Sequence, residues 1–218
     1  MFSKQRVAPV AAEFFGTALL VMIALVMTET TAVSYFVATS LAITISVIVM
    51  FFGSVSGAHI NPAITFGMWT ARKIGTLRAA SYVVAQLLGG LATWQLFQYL
   101  TDKSLPAKAA TYSTPMLVAE LVGTAILAMG YTAALVRGLD ALQSALTVAA
   151  AIFSGILVAS IATAGYINPA VALGVRSWSS VYVLGPLLGG LIGVNLYMML
   201  FAPSKARVRA AVKSSKKK

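Results

Sequence analysis

The side chains in this sequence that can do chemistry are mainly amides, carboxylates and one imidazole. Asn61 and Asn168 each belong to the tetrapeptide INPA, so an amide that can both donate and accept hydrogen bonds occurs twice in the same setting. Glu13 and Glu120 lie inside apolar runs, and His59 stands two residues before Asn61. With no cysteine and a single histidine, the chain has neither a thiolate nucleophile nor a histidine-based metal cluster. We therefore expect hydrogen bonding rather than catalysis, with no enzyme activity, no cofactor and no metal.

Composition places this chain in a membrane. Of its 218 residues 59% are hydrophobic and only 10% are charged, and the mean hydropathy is +0.88. A soluble domain carries about 25% charged residues. The net charge of +11 would suit a nucleic-acid partner, but the basic residues lie in short segments between apolar runs and in the tail 202–218. We expect contact with anionic lipid and no contact with nucleic acid.

Apolar runs long enough to cross a bilayer, about 20 residues each, divide the chain. Six are predicted to be transmembrane helices: residues 9–28, 33–54, 78–100, 115–136, 141–161 and 181–201. Two shorter runs, 60–71 and 168–177, cannot span a membrane. Both contain Asn-Pro close to their start, and proline suits the first turn of a helix. They are predicted to be re-entrant half-helices in an all-α membrane protein.

The two halves of the chain are copies of each other. AEFFGTALLVM at residues 12–22 returns as AELVGTAILAM at 119–129, an offset of 107 residues that also relates the two INPA tetrapeptides. QLLGGL at 86–91 returns as PLLGGL at 186–191. Each copy holds three spans, so the copies cross the membrane in opposite directions. Such inverted repeats form the ligand path at the interface between the copies.

These boundaries predict one membrane domain with two ends outside it. The predicted segments are an N-terminus at 1–8, a channel-like domain at 9–201 built from repeat one (9–100) and repeat two (115–201), and a basic tail at 202–218.

Two NPA motifs in an inverted repeat of six spans resemble the aquaporin, or major intrinsic protein, family over residues 9–201. The resemblance implies a homotetramer of passive channels for water and small neutral solutes, without a cofactor. It also implies that the two motifs (Asn61, Pro62 and Ala63; Asn168, Pro169 and Ala170) meet in mid-membrane. There the positive ends of both half-helices repel cations and hydronium, as in aquaporin-type pores.

Carboxylates inside a span are costly unless they have partners. The symmetry of Glu13 and Glu120, together with the resemblance, favours a supporting role in which they accept hydrogen bonds from the re-entrant loops. His59 is assigned the same supporting role. Proton coupling by either glutamate is the alternative.

The resemblance further implies a selectivity constriction on the outer side of the motifs, at the positions of Leu41, Ile156, Gly165 and Val171. Water-selective relatives usually carry Arg at the position of Val171 and often His at that of Ile156. Without these donors the passage is expected to be less polar and wider, or else to close as a dry apolar gate. Arg176 can return to the mouth, bind lipid phosphate or cap a loop.

The distribution of basic residues predicts the orientation. On the six-span arrangement, thirteen of the sixteen lysines and arginines share the side of both termini, which the positive-inside rule places in the cytoplasm. Other functions stay open: a non-conducting junction protein of the same fold, a proton-coupled transporter, or a glycerol-type channel. Ala172 stands where the glycerol-conducting branch typically has Asp, which favours the water-type branch.

Overall fold

The computed structural model describes residues 4–31, 33–108 and 111–203, and the basic tail from residue 204 onward lies outside this part. Helices form the regular structure of the described residues, so the all-α prediction is confirmed. The helices are α1 (Lys4–Thr30), α2 (Ser34–Ser56), α3 (Pro62–Thr70), α4 (Thr76–Thr101), α5 (Thr114–Arg137), α6 (Ala141–Ala159), α7 (Pro169–Gly174) and α8 (Ser180–Leu200).

The long helices coincide with the predicted spans. By length and apolarity, α1, α2, α5, α6 and α8 can each cross a membrane. Helix α4 has 26 residues, or about 39 Å at 1.5 Å per residue, so it is long enough as well. It is less apolar than the others partly because it carries Gln86 and Thr93, and both of these side chains are buried inside the protein.

The two short helices begin directly after Asn61 and Asn168, as the Asn-Pro pairs predict. Helix α7 is shorter than the predicted 168–177. It ends at Gly174, and the N–H of the next residue, Val175, bonds back to the carbonyls of Leu173 and Val171.

Each half-helix packs against a long helix of the other repeat. Helix α3 lies on α8, and α7 lies on α4, while α2 and α6 meet at the repeat interface. The glycines of the two LLGGL segments allow this close approach. A Cβ at Gly90 would come within 2.6 Å of the Ala170 carbonyl oxygen, and one at Gly190 would collide with the Ala63 carbonyl. The packing of each half-helix against the other repeat therefore brings the first turns of α3 and α7 to the centre of the molecule.

Candidate functional site

Glu13 is hydrogen-bonded to the loop that leads into α3. Its Oε1 accepts from the Ser56 hydroxyl at 2.6 Å and from the His59 backbone N–H at 3.0 Å. Its Oε2 accepts from the Ile60 backbone N–H and from the Gln86 side-chain amide, both at 2.7 Å. The side chain has no exposed surface, and four donors offset the loss of its solvation.

Glu120 repeats this arrangement in the second loop. Its Oε1 accepts from the Thr163 hydroxyl at 2.7 Å and from the Tyr166 N–H at 3.1 Å, and its Oε2 accepts from the Ile167 N–H at 2.7 Å. Each of these three partners lies 107 residues after its counterpart in the first repeat. The fourth donor is missing because Pro186 replaces the glutamine.

The backbone of both loops has positive φ values at matching positions. Ile60 and Ile167 have φ values of 53° and 43°, and Ala58 and Gly165 have φ values of 48° and 67°. A positive φ is unusual for a β-branched residue and costs about 1–3 kcal/mol. Because the N–H groups of both isoleucines donate to the buried glutamates, the carboxylates hold this backbone in place.

The two asparagines cap the half-helices. Each has an extended backbone and is followed by a proline at the first helical position. The Asn61 Oδ1 accepts from the Ala63 N–H at 2.8 Å, and the Asn168 Oδ1 accepts from the Ala170 N–H at 2.9 Å. The amide groups are thereby fixed with their nitrogens directed away from their own helices.

Each asparagine also bonds to the loop of the other repeat. The Asn61 Nδ2 donates to the Ile167 carbonyl, and the Asn168 Nδ2 donates to the Ile60 carbonyl, both at 2.9 Å. An amide nitrogen carries two hydrogens, so each Nδ2 keeps one hydrogen for a further acceptor. The structure thus brings two oriented donors together at the centre of the molecule.

A narrow cavity of about 10 Å³ runs between the repeats, which is about the space for one water molecule. Both asparagines line it, together with Leu41, Ile156 and Val171. The structure therefore brings three of the four expected constriction residues together. These aliphatic side chains pack closely around the cavity, and Ile156 and Val171 are only 1% and 2% exposed. The wider passage and the dry apolar gate both stay predictions.

Gly165, the fourth expected constriction residue, does not line this cavity. It lies close to Ile156, because an added Cβ would come within 2.9 Å of the Ile156 carbonyl oxygen.

Arg176 is held away from the narrow cavity. Its guanidinium carbon lies 4.0 Å from the centre of the Trp94 ring, and its Nε donates to the Leu105 carbonyl at 3.3 Å. Its own carbonyl accepts from the Lys108 N–H at 2.7 Å. Of the three roles considered for Arg176, the geometry shows the loop cap, which joins the end of α7 to the α4–α5 connection.

A second cavity, which we call the vestibule, has a volume of about 350 Å³ and is lined by residues of α2, α5 and α6 and by the α5–α6 loop. His59 and Tyr131 line both the vestibule and the narrow cavity. The sequence had suggested only a supporting role for His59, and it had not drawn attention to Tyr131. Helical periodicity offered a signal, since Tyr131 lies 11 residues, or about three turns, after Glu120 and so shares its face of α5.

Comparison with known proteins gives consistent relatives. The model of the Major intrinsic protein family matches residues 2–197. A probable TIP-type aquaporin of Medicago truncatula is 35% identical over 163 residues, which cover 69% of this chain and 65% of the relative. Aquaporin AqpM of Methanothermobacter marburgensis is 31% identical over 172 residues, which cover 68% of this chain and 69% of the relative. The chain thus spans about two thirds of the length of these relatives.

The solved structures add a likeness in fold. The X-ray structure of the aquaglyceroporin from Plasmodium falciparum superposes with a TM-score of 0.73, over 91% of this chain and 98% of that one. Its sequence identity is 20%, so this likeness concerns the fold alone. The family match over residues 2–197, joined to apolar membrane-crossing helices and a duplicated NPA motif, shows that this integral, multi-pass membrane protein belongs to the major intrinsic protein family of channels.

Proposed function

We propose that this channel conducts water passively and excludes ions and protons at the paired NPA motifs. The observation that carries the proposal is the reciprocal pairing of Asn61 and Asn168 beside a cavity with space for about one water molecule. A water oxygen there can accept from both free amide hydrogens. The names of its relatives, which include aquaporins of plants, an archaeon and the mouse, support the same function.

The exclusion of cations follows from the ends of the half-helices. The N-termini of α3 and α7 meet at the asparagines, and each helix N-terminus carries up to about half a positive charge. Among the described residues, no carboxylate lines the narrow cavity to offset this potential. A cation in this position would lose its hydration shell without a carboxylate in contact to replace it.

The aliphatic wall also bears on which solutes pass. Leu41, Ile156 and Val171 supply no side-chain donor or acceptor, so discrimination there depends on size. Ammonia, peroxide, urea and glycerol are the small neutral solutes to compare with water. A glycerol-type channel and a non-conducting junction protein are the alternative functions.

Reconstitution into vesicles tests the proposal. Stopped-flow light scattering should show faster osmotic shrinkage than in empty vesicles, and no dependence of water flux on a pH gradient. Asn168→Leu should lower the water permeability at least tenfold. Asn195→Leu is the matched control, because the Asn195 side chain bonds to Thr70 and Leu191 and lines neither cavity.

Three results would count against this function. A wild-type protein that is folded in the vesicles but conducts no water would favour the non-conducting junction protein. A solute flux driven by the pH gradient would favour a proton-coupled transporter. A wild-type rate in Asn168→Leu would refute the role of the asparagine pair.

We also propose that residues 9–201 form the channel domain from repeats 9–100 and 115–201, with both termini in the cytoplasm. Arg72, Lys73 and Arg78 lie around the α3–α4 connection, and Arg137 ends α5. We assign these basic residues to the cytoplasmic side by the positive-inside rule. Because the chain has no cysteine, single replacements report topology directly. In intact cells, an impermeant maleimide should label Lys103→Cys and spare Lys73→Cys, and the reverse pattern would invert the orientation.

A further inference from the structure

The route from the vestibule to the asparagine pair passes two aromatic side chains. Of the residues around the narrow cavity, His59 and Tyr131 also line the vestibule. The space falls from about 350 Å³ on one side of them to about 10 Å³ on the other. These two residues therefore stand where the passage narrows.

Both rings are fixed in position. The Tyr131 hydroxyl donates to the Ala58 carbonyl at 2.6 Å, and the side chain is buried. The His59 Nδ1 lies 3.1 Å from the Thr65 hydroxyl, and its ring packs edge-to-face on Tyr82 with 5.6 Å between centroids. Because each ring has a polar tether or a packing partner, neither moves aside freely.

The inverted repeat shows that the Tyr131 ring is particular to one half of the pore. Leu41 and Ile156, which line the narrow cavity, correspond through the offset of 107 residues to Val148 and Val49. Both valines line the wide vestibule. Tyr131 corresponds to Ala24, so its ring has no equivalent on the outer side.

We infer that Tyr131 determines solute size selectivity, by forming with His59 a second narrow point between the vestibule and the asparagine pair. The inference rests on the proposed channel function and deepens it. The outer narrow point is formed mainly by aliphatic side chains, with Tyr166 also lining the cavity, whereas the Tyr131 ring of the inner one is held by a hydrogen bond to the re-entrant loop. A neutral solute must fit past both narrow points.

The ratio of glycerol to water permeability tests this assignment. Tyr131→Ala removes the ring and should raise the ratio at least threefold. Tyr131→Phe keeps the ring but removes its tether to the Ala58 carbonyl, so its ratio should lie about twofold above that of the wild type. In a Leu41→Ala background the outer narrow point is widened, and the effect of Tyr131→Ala should increase.

Tyr82→Phe is the matched control. The Tyr82 hydroxyl donates to the Ser56 carbonyl at 2.9 Å, so the substitution deletes the same type of bond to the same segment, but Tyr82 lines neither cavity. The permeability ratio should match that of the wild type. If Tyr131→Ala does not fold, the permeability ratio of Tyr131→Phe tests the inference instead. Equal ratios in folded Tyr131 variants and wild type, in both backgrounds, would overturn the inference.

Cysteine labelling tests the narrow point without relying on water flux. Ser144 lines the vestibule and Ile152 lines the narrow cavity, and both are on α6. In detergent, a maleimide should modify Ser144→Cys rapidly whatever residue occupies position 131. It should modify Ile152→Cys slowly, and at least tenfold faster once Tyr131→Ala is added.

The two readouts separate the inference from the proposed function. If no variant conducts water but labelling of Ile152→Cys still accelerates, the inner narrow point stands and water conduction fails. If Tyr131→Ala leaves that labelling rate unchanged, the inner narrow point is wrong, whatever the water flux.

Discussion

At the scale of single residues, both polar amides and aliphatic side chains line the narrow cavity. Asn61 and Asn168 present amide hydrogens at the centre, and the wall beside them is formed by Leu41, Ile156 and Val171. Aliphatic side chains give a passing water molecule nothing to bind, so in this part of the narrow cavity the fixed contacts come from the asparagine pair. Side-chain volume in this wall should then govern the rate of permeation.

Leu41→Ala tests that dependence on volume. Leu41 is 5% exposed and lines the narrow cavity, so removing its isobutyl group should raise water permeability two- to fivefold and make glycerol flux measurable. Stopped-flow light scattering gives both rates. Leu146→Ala, also in a long helix but 60% exposed, provides the control and should change neither rate. Unchanged rates in Leu41→Ala would contradict control by the aliphatic wall.

Val171→Arg tests the opposite change at the same wall. The larger, charged side chain should narrow the passage and lower glycerol flux more than water flux, because the larger solute is the first to lose its fit. Val171→Leu separates volume from charge and should have a smaller effect. An equal proportional loss for water, ammonia and glycerol would argue against a size filter.

At the scale of elements, two buried carboxylates hold the re-entrant loops and two glycines seat the half-helices. Glu120 accepts from three donors of the second loop, including the N–H of the strained Ile167. Gly90 allows α7 to rest on α4. Loop and half-helix together set where the asparagines lie, so damage to either should be visible in both stability and flux.

Glu120→Gln should destabilise the second loop. The glutamine side chain offers one acceptor oxygen in place of two, so at least one buried donor loses its partner, at a cost of about 1–3 kcal/mol. We expect a melting temperature lower by about 2–10 °C, together with reduced water flux. Glu29→Gln is the control, since its bridge to Lys108 is part-exposed and should contribute little. Equal melting temperatures for both variants would refute the supporting role.

Gly90→Leu should displace α7. Its Cβ would lie 2.6 Å from the Ala170 carbonyl oxygen, and a backbone atom in a packed helix cannot move aside cheaply. Loss of folded protein on size-exclusion chromatography, or of most water flux, is expected. Gly75→Leu introduces the same side chain where no atom lies within 4 Å of the added Cβ, and it should be tolerated. Similar yields and fluxes for the two variants would contradict the crossing-point argument.

At the scale of the whole molecule, the outer surface is strongly apolar. Helix α2 alone exposes Tyr35, Phe36, Ile43 and Phe51, side chains that suit lipid or a neighbouring copy. We expect the homotetramer that the family resemblance implies, with one pore in each subunit. Amine crosslinking in mild detergent should yield a four-copy product. Monomers alone, with full water flux, would contradict it.

The sequence by itself determined the features that are written along the chain. Run length identified the long helices, the Asn-Pro pairs marked where α3 and α7 begin, and the 107-residue offset revealed the inverted repeat. The same offset paired Glu13 with Glu120, and the structure places both against the loops. These features are readable because span length, proline position and duplication are local or periodic properties.

Only the tertiary structure decided which side chains share a space. It placed Gly165 close to Ile156 and outside the lining of the narrow cavity, packed Arg176 on Trp94, and placed Tyr131 in the lining of both cavities. It also showed that the space beside the asparagine pair is about 10 Å³. The physical reason is that width depends on how side chains from distant helices fill a common volume. That filling is set by the close approach of helices from opposite repeats, which residue spacing along one chain does not specify.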